Sequence, residues 1–181
     1  MARVTTVQKS RNDHKCGWCG TDLPKGSTYR WAKPASVIRG NYRFGSKRVR
    51  CMSPKCSFRP SQMTSSGNLS TIYAAQESVD DLLAGVTEWD EDTLFSLAEA
   101  LREAGEQIRE AGESYGEGAE NMSQYFGDTE QVESMREKAE ACSASADEIE
   151  SAADTIESLE VNEDTAYEAE SLVTDAMSVD V

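Results

Sequence analysis

Four cysteines in two close pairs constrain the N-terminal third of this chain more than any other feature does. Cys16 and Cys19 enclose two residues in CGWCG, and Cys51 and Cys56 enclose four in CMSPKC. Gly17 and Gly20 are the permissive residues that a tight knuckle around an ion needs, and Pro54 helps the second pair turn back toward it. The intervening sequence is polar. Leu23, Val37, Ile38, Val49 and a few aromatics are its only core candidates, too few for burial alone to stabilise so short a unit. Four thiolates at this spacing satisfy a tetrahedral ion and leave no open position. The residues therefore predict a structural Zn2+ held by Cys16, Cys19, Cys51 and Cys56, and a domain that is unfolded without it. The alternative, four unrelated buried thiols, lacks the apolar surroundings in which to bury them. His14, the one histidine, is a spare donor that the ligand count makes surplus, so it reads as an exposed or capping residue.

Charge divides the chain at nearly the same place. Residues 1 to 62 hold 14 Lys and Arg against Asp13 and Asp22, a net of +12, and residues 63 to 181 hold 4 against 31, a net of −27. The overall pI of about 4.4 conceals this opposition. The first fifteen residues carry no apolar run and no stretch reaches the length of a membrane span, so the expectation is a soluble, cytoplasmic protein with no membrane partner. In that compartment paired cysteines are metal ligands rather than disulfides.

Within the basic third, Leu23-Pro24-Lys25-Gly26 reads as a turn, Tyr29-Arg30-Trp31 as a strand, and Tyr42-Arg43-Phe44 and Lys47 to Arg50 as extended segments. Six aromatics, Trp18, Tyr29, Trp31, Tyr42, Phe44 and Phe58, are interleaved with Arg30, Lys33, Arg39, Arg43, Lys47, Arg48 and Arg50. The mixture suits nucleic acid, where cations neutralise phosphates and aromatic faces stack on bases. Most of the aromatics are also needed for so small a core, so the seven cations are the better candidates for ligand contacts. Strand alternation could bring several of Arg43, Lys47, Arg48 and Arg50 onto one face of a hairpin.

The knuckle, the Pro-Lys-Gly turn and the second cysteine pair together resemble treble-clef and zinc-ribbon fingers. A treble clef places its last two ligands at the start of a helix. Pro60, close behind Cys56, shortens or removes such a helix, which keeps the ribbon as an alternative.

Beyond this finger, placed at residues 12–62, a linker at 63–70 leads to an acidic helical domain at 71–179. Periodicity places helices at about 71–85, 91–126, 129–160 and 163–178. Asp90 is the expected N-cap of the second, with Trp89 and Leu94 spaced as a hydrophobic staple, and Asp128 is the expected cap of the third. Leu94, Leu97, Leu101, Ala104, Ile108, Ala111, Tyr115, Gly118, Met122 and Tyr125 form one heptad series. Val132, Met135, Ala139, Cys142, Ala146, Ile149, Ala153 and Ile156 form another. Two such arms separated by Gly127-Asp128 predict an antiparallel helical hairpin, with Cys142 as a small buried seam residue. The fold class is thus a small zinc-stabilised β-rich finger followed by an all-α acidic hairpin or bundle. The whole arrangement resembles uncharacterised small proteins of bacterial and archaeal viruses that join a cysteine-pair finger to an acidic hairpin, a likeness that implies no activity.

Two functions fit. One is a nucleic-acid-binding finger whose helical half dimerises or recruits a partner. The other is an adaptor or inhibitor that offers its acidic hairpin to a basic protein. An enzyme is disfavoured: a closed four-cysteine site leaves no ligand position for water, and no base, nucleophile or phosphate loop stands out.

Overall fold

The run from Pro60 to Gln76 contains no charged residue, and the fold divides within it. The computed structural model describes residues 2–38 and 41–179, and their side chains outside 36–43. It separates into two compact units, residues 1–70 and 71–181. Small β-sheets occupy the first and helices dominate the second, so the basic and acidic parts of the chain are also different kinds of structure.

In the first unit, β1 (Thr5–Val7), β4 (Tyr29–Ala32) and β7 (Arg48–Arg50) form an antiparallel sheet in the order β1-β4-β7. Two further pairs stand beside it: β2 (His14–Lys15) with β3 (Asp22–Leu23), and β5 (Ala35–Ile38) with β6 (Asn41–Phe44). The strand β1 lies ahead of the expected start at residue 12. Its Thr-Thr-Val run favours extended backbone, and its register sets Val7 opposite Tyr29 and Thr5 opposite Trp31. The expected turn is present, with Ser27 N–H donating to Pro24 C=O at 3.0 Å and Gly26 at φ 95°. The core here is small. Leu23, Tyr29, Cys16 and Cys56 are buried, with Val7, Trp31, Val49 and Cys51 packed around them.

The helices are α1 (Gly67–Leu83), α2 (Glu91–Phe126), α3 (Glu130–Glu157) and α4 (Thr165–Ala176). Helix α1 begins inside the segment read as a linker, because the Ser66 hydroxyl accepts from Leu69 N–H and starts the first turn. Asp90 caps α2 by accepting from Thr93 N–H at 2.8 Å. The cap of α3 is Thr129 rather than Asp128: Thr129 Oγ1 accepts from Val132 N–H, while Asp128 pairs with Arg136 at 2.8 Å.

Helices α2 and α3 pack antiparallel about Gly127, which leaves α2 at φ 73°. Gly105 faces Ile149, Gly112 faces Cys142 and Gly118 faces Met135, so small residues on α2 let the helices approach closely. The buried stripe of α2 departs from the expected heptad toward its end. Ala119 is buried while Tyr125 is 81% exposed. A helix of 3.6 residues per turn drifts across a strict seven-residue repeat, and Tyr125 sits at the tip, where α3 has nothing opposite it. Two arginines bridge the arms on the outside: Arg102 reaches Asp154 at 2.9 Å and also Glu157, and Arg109 reaches Asp147 at 2.9 Å and Glu150 at 3.3 Å. Helix α4 packs on α3 and is tied to α1 by Gln76, whose side-chain amide donates to Met177 C=O at 2.8 Å. Among the described residues no helix is long and apolar enough to cross a membrane.

Candidate metal centre

The loop between β2 and β3 is a tight knuckle. Gly20 N–H donates to Cys16 C=O, Cys16 N–H donates to Thr21 C=O, and Gly20 turns at φ 75°, where a side chain would be strained. The knuckle is fastened to β7 by Gly17 N–H, which donates to Val49 C=O at 2.8 Å. That bond brings Cys16 and Cys19 to the end of the strand that delivers Cys51. A single 3₁₀ turn, Pro54–Cys56, then carries Cys56 back to the others. No α-helix begins at this second pair, where a treble clef would place one.

All four Sγ atoms lie within 4.8 Å of one another, with Cys19 and Cys51 3.8 Å apart. A tetrahedral ion at a metal–sulfur distance of about 2.3 Å sets its sulfurs about 3.8 Å apart, so the quartet fits a metal ion. None of the four cysteines forms a disulfide. Cys16 and Cys56 are buried, Cys51 is half-buried and Cys19 is exposed.

The surroundings split the four thiols. Burial opposes a charge on Cys16, but backbone N–H groups of Cys19, Cys51 and Trp18 outweigh it and lower its pKa to about 6. The Thr21 hydroxyl, 3.0 Å from Cys19 Sγ, and the Thr21 N–H hold Cys19 below the usual thiol value. Burial and the neighbouring thiols push Cys56 up to about 12. Crowded thiols that cannot all ionise together are the electrostatic condition a divalent cation relieves.

Around the quartet, the described cations among the seven separate into different roles. Arg30 and Arg50 stand directly opposite each other across β4 and β7, and both reach the loop that carries the second cysteine pair. Arg30 donates to Ser57 Oγ at 2.8 Å and to Met52 C=O at 2.7 Å. Arg50 donates to Ser57 C=O and to Gln62 Oε1, and its guanidinium lies 4.8 Å from the Trp18 ring and 4.3 Å from the Phe58 ring. Arg50 is only 7% exposed. Burial lowers its pKa, while negative charge at Cys16 and Cys56 acts to raise it. These two arginines brace the cysteine loop.

Lys47 is exposed, with its ammonium 4.5 Å from the Trp31 ring, and Lys33 and Arg48 are exposed as well. Arg43 belongs to β6, in a different sheet from Arg48 and Arg50, so it does not share a hairpin with them. Its side chain and all of Arg39 lie outside the described residues. His14 packs its ring 4.8 Å from that of Tyr29 and is not part of the quartet.

The sequence reading grouped Trp18 with aromatics mostly needed for the core, yet Trp18 is 56% exposed. Its position was the available signal, since a residue between two inward-pointing ligands in a tight knuckle must turn outward. It lines a cleft of about 490 Å³ with Pro34, Ser46, Arg48, Arg50 and Gln62. Compared with known proteins, the chain matches no family model, no curated protein and no solved structure.

Proposed function

We propose that the N-terminal unit is a zinc-ordered, non-enzymatic module that binds nucleic acid, with the quartet of Cys16, Cys19, Cys51 and Cys56 as its structural Zn2+ site. The carrying observation is the exposed Trp18 beside the exposed Arg48, on a unit whose residues 1 to 62 sum to +12. An all-sulfur, closed, tetrahedral set favours zinc over oxygen-seeking cations, and it leaves no position for an activated water. Cations such as Lys33, Lys47 and Arg48 would neutralise phosphates, which makes the affinity depend steeply on salt.

The test is binding of the full, zinc-loaded chain to mixed-sequence oligonucleotides, followed by fluorescence anisotropy across a salt titration. Affinity whose logarithm falls linearly with log salt and that disappears on chelation supports the reading, and absence of binding at physiological salt sinks it. A second reading then takes its place: an adaptor whose acidic hairpin docks a basic protein. Its support is the tip of that hairpin, where Tyr125 and Phe126 are 81% and 75% exposed amid carboxylates.

A further inference from the structure

The nucleic-acid reading leaves open whether the target is paired or unpaired, and the cleft beside Trp18 bears on that question. Its volume of about 490 Å³ falls in the range of sites that enclose a small planar ligand. Trp18 is the aromatic residue in its lining, and Arg50 lies over the indole ring at 4.8 Å. The ring still keeps 56% exposure, held in place by a buried cation and by the knuckle that the cysteines define. Arg48, exposed and two residues before Arg50 on β7, lines the same cleft. A partly open aromatic surface beside an exposed cation matches the two parts of one nucleotide, its base and its phosphate.

A duplex offers such a site no base face unless a nucleotide is unpaired and flipped out, because its base planes are stacked on one another and only edges and phosphates face outward. We propose that the cleft takes an unpaired base, stacked on Trp18 with the neighbouring phosphate on Arg48, so that the protein prefers single-stranded nucleic acid. This rests on the nucleic-acid reading above.

The experiment compares single strands of about 12 nucleotides, in DNA and in RNA, with duplexes of the same sequence, binding to the full zinc-loaded chain at one low salt concentration. The expected result is tighter binding of the single strands. Trp18→Leu should weaken that binding about tenfold or more while changing duplex affinity by less than about twofold. Zinc content and melting of each variant are checked first. If Trp18→Leu loses zinc, the wild-type chain decides the matter: photo-cross-links from a strand carrying a halogenated base are mapped to the peptide containing Trp18 or elsewhere. Equal affinity for single strands and duplexes, or cross-links confined to other segments, overturns the stacking proposal and leaves the nucleic-acid reading standing. No binding to any probe overturns both.

Discussion

At the scale of single residues, two arginines that are equivalent in sequence do different things. Arg48 and Arg50 share a strand face by alternation, but Arg50 is buried between Trp18 and Phe58 while Arg48 is exposed. Arg50→Ala removes hydrogen bonds from a charged donor together with two ring contacts, and should destabilise the zinc-loaded N-terminal unit by roughly 3 kcal/mol. Arg48→Ala should stay within about 0.5 kcal/mol. Thermal melts followed by tryptophan emission distinguish the two. The cysteine quartet was legible in the sequence because ligand spacing is local. The role of Arg50 was not, because it depends on a cross-strand partner and on a loop folding back over it. Acid offers another residue-level test. Protons compete with the ion for the four thiolates, so the melting temperature of the zinc-loaded unit should decline as pH falls from 8 to 5, with release of the ion at the acid end.

Among the secondary-structure elements, the hairpin shows what periodicity reveals and what it hides. Helix type and approximate extent followed from the spacing of apolar residues, but the close approach at Gly112 did not, since Gly112 lies outside the expected heptad series. A Cβ there would lie 2.8 Å from Cys142 Cβ and 3.2 Å from Ala139 C=O, whereas one at Gly116 would meet Ala139 Cβ at 3.9 Å. Gly112→Ala should thus destabilise the helical unit by about 1–3 kcal/mol despite the better helix former, and Gly116→Ala should stabilise it by about 0.5–1 kcal/mol. Urea unfolding followed by helical ellipticity reads both. The same contact sets the register of the arms. Arg102 and Arg109, one heptad apart, meet carboxylate pairs that also repeat by one heptad, so a slip of that length toward the end of α3 would keep a pair for Arg109 and lose the one for Arg102. A slip that set Ile149 against Gly112 would also force a branched side chain into a gap that holds a cysteine, so volume and charge select the same register.

For the molecule as a whole, the two units draw on different sources of stability. The β unit has a core made partly of its own cysteines, while the helical unit buries aliphatic side chains such as Leu97, Leu101, Ile108 and Ile149 completely. A strong chelator should therefore abolish the ordered environment of Trp18 and Trp31 while leaving most of the helical ellipticity in place, seen by emission and circular dichroism on one sample. The break between the units falls in the uncharged run, so the two signs of charge are collected on separate folded bodies. An ion-exchange resin should accordingly meet two different proteins in one chain. With a formal charge of −15 at pH 7 it should bind an anion exchanger, yet the +12 of its first 62 residues should also hold it on a cation exchanger in dilute buffer. Each resin would be gripped by the opposite end, and the isoelectric point would describe neither.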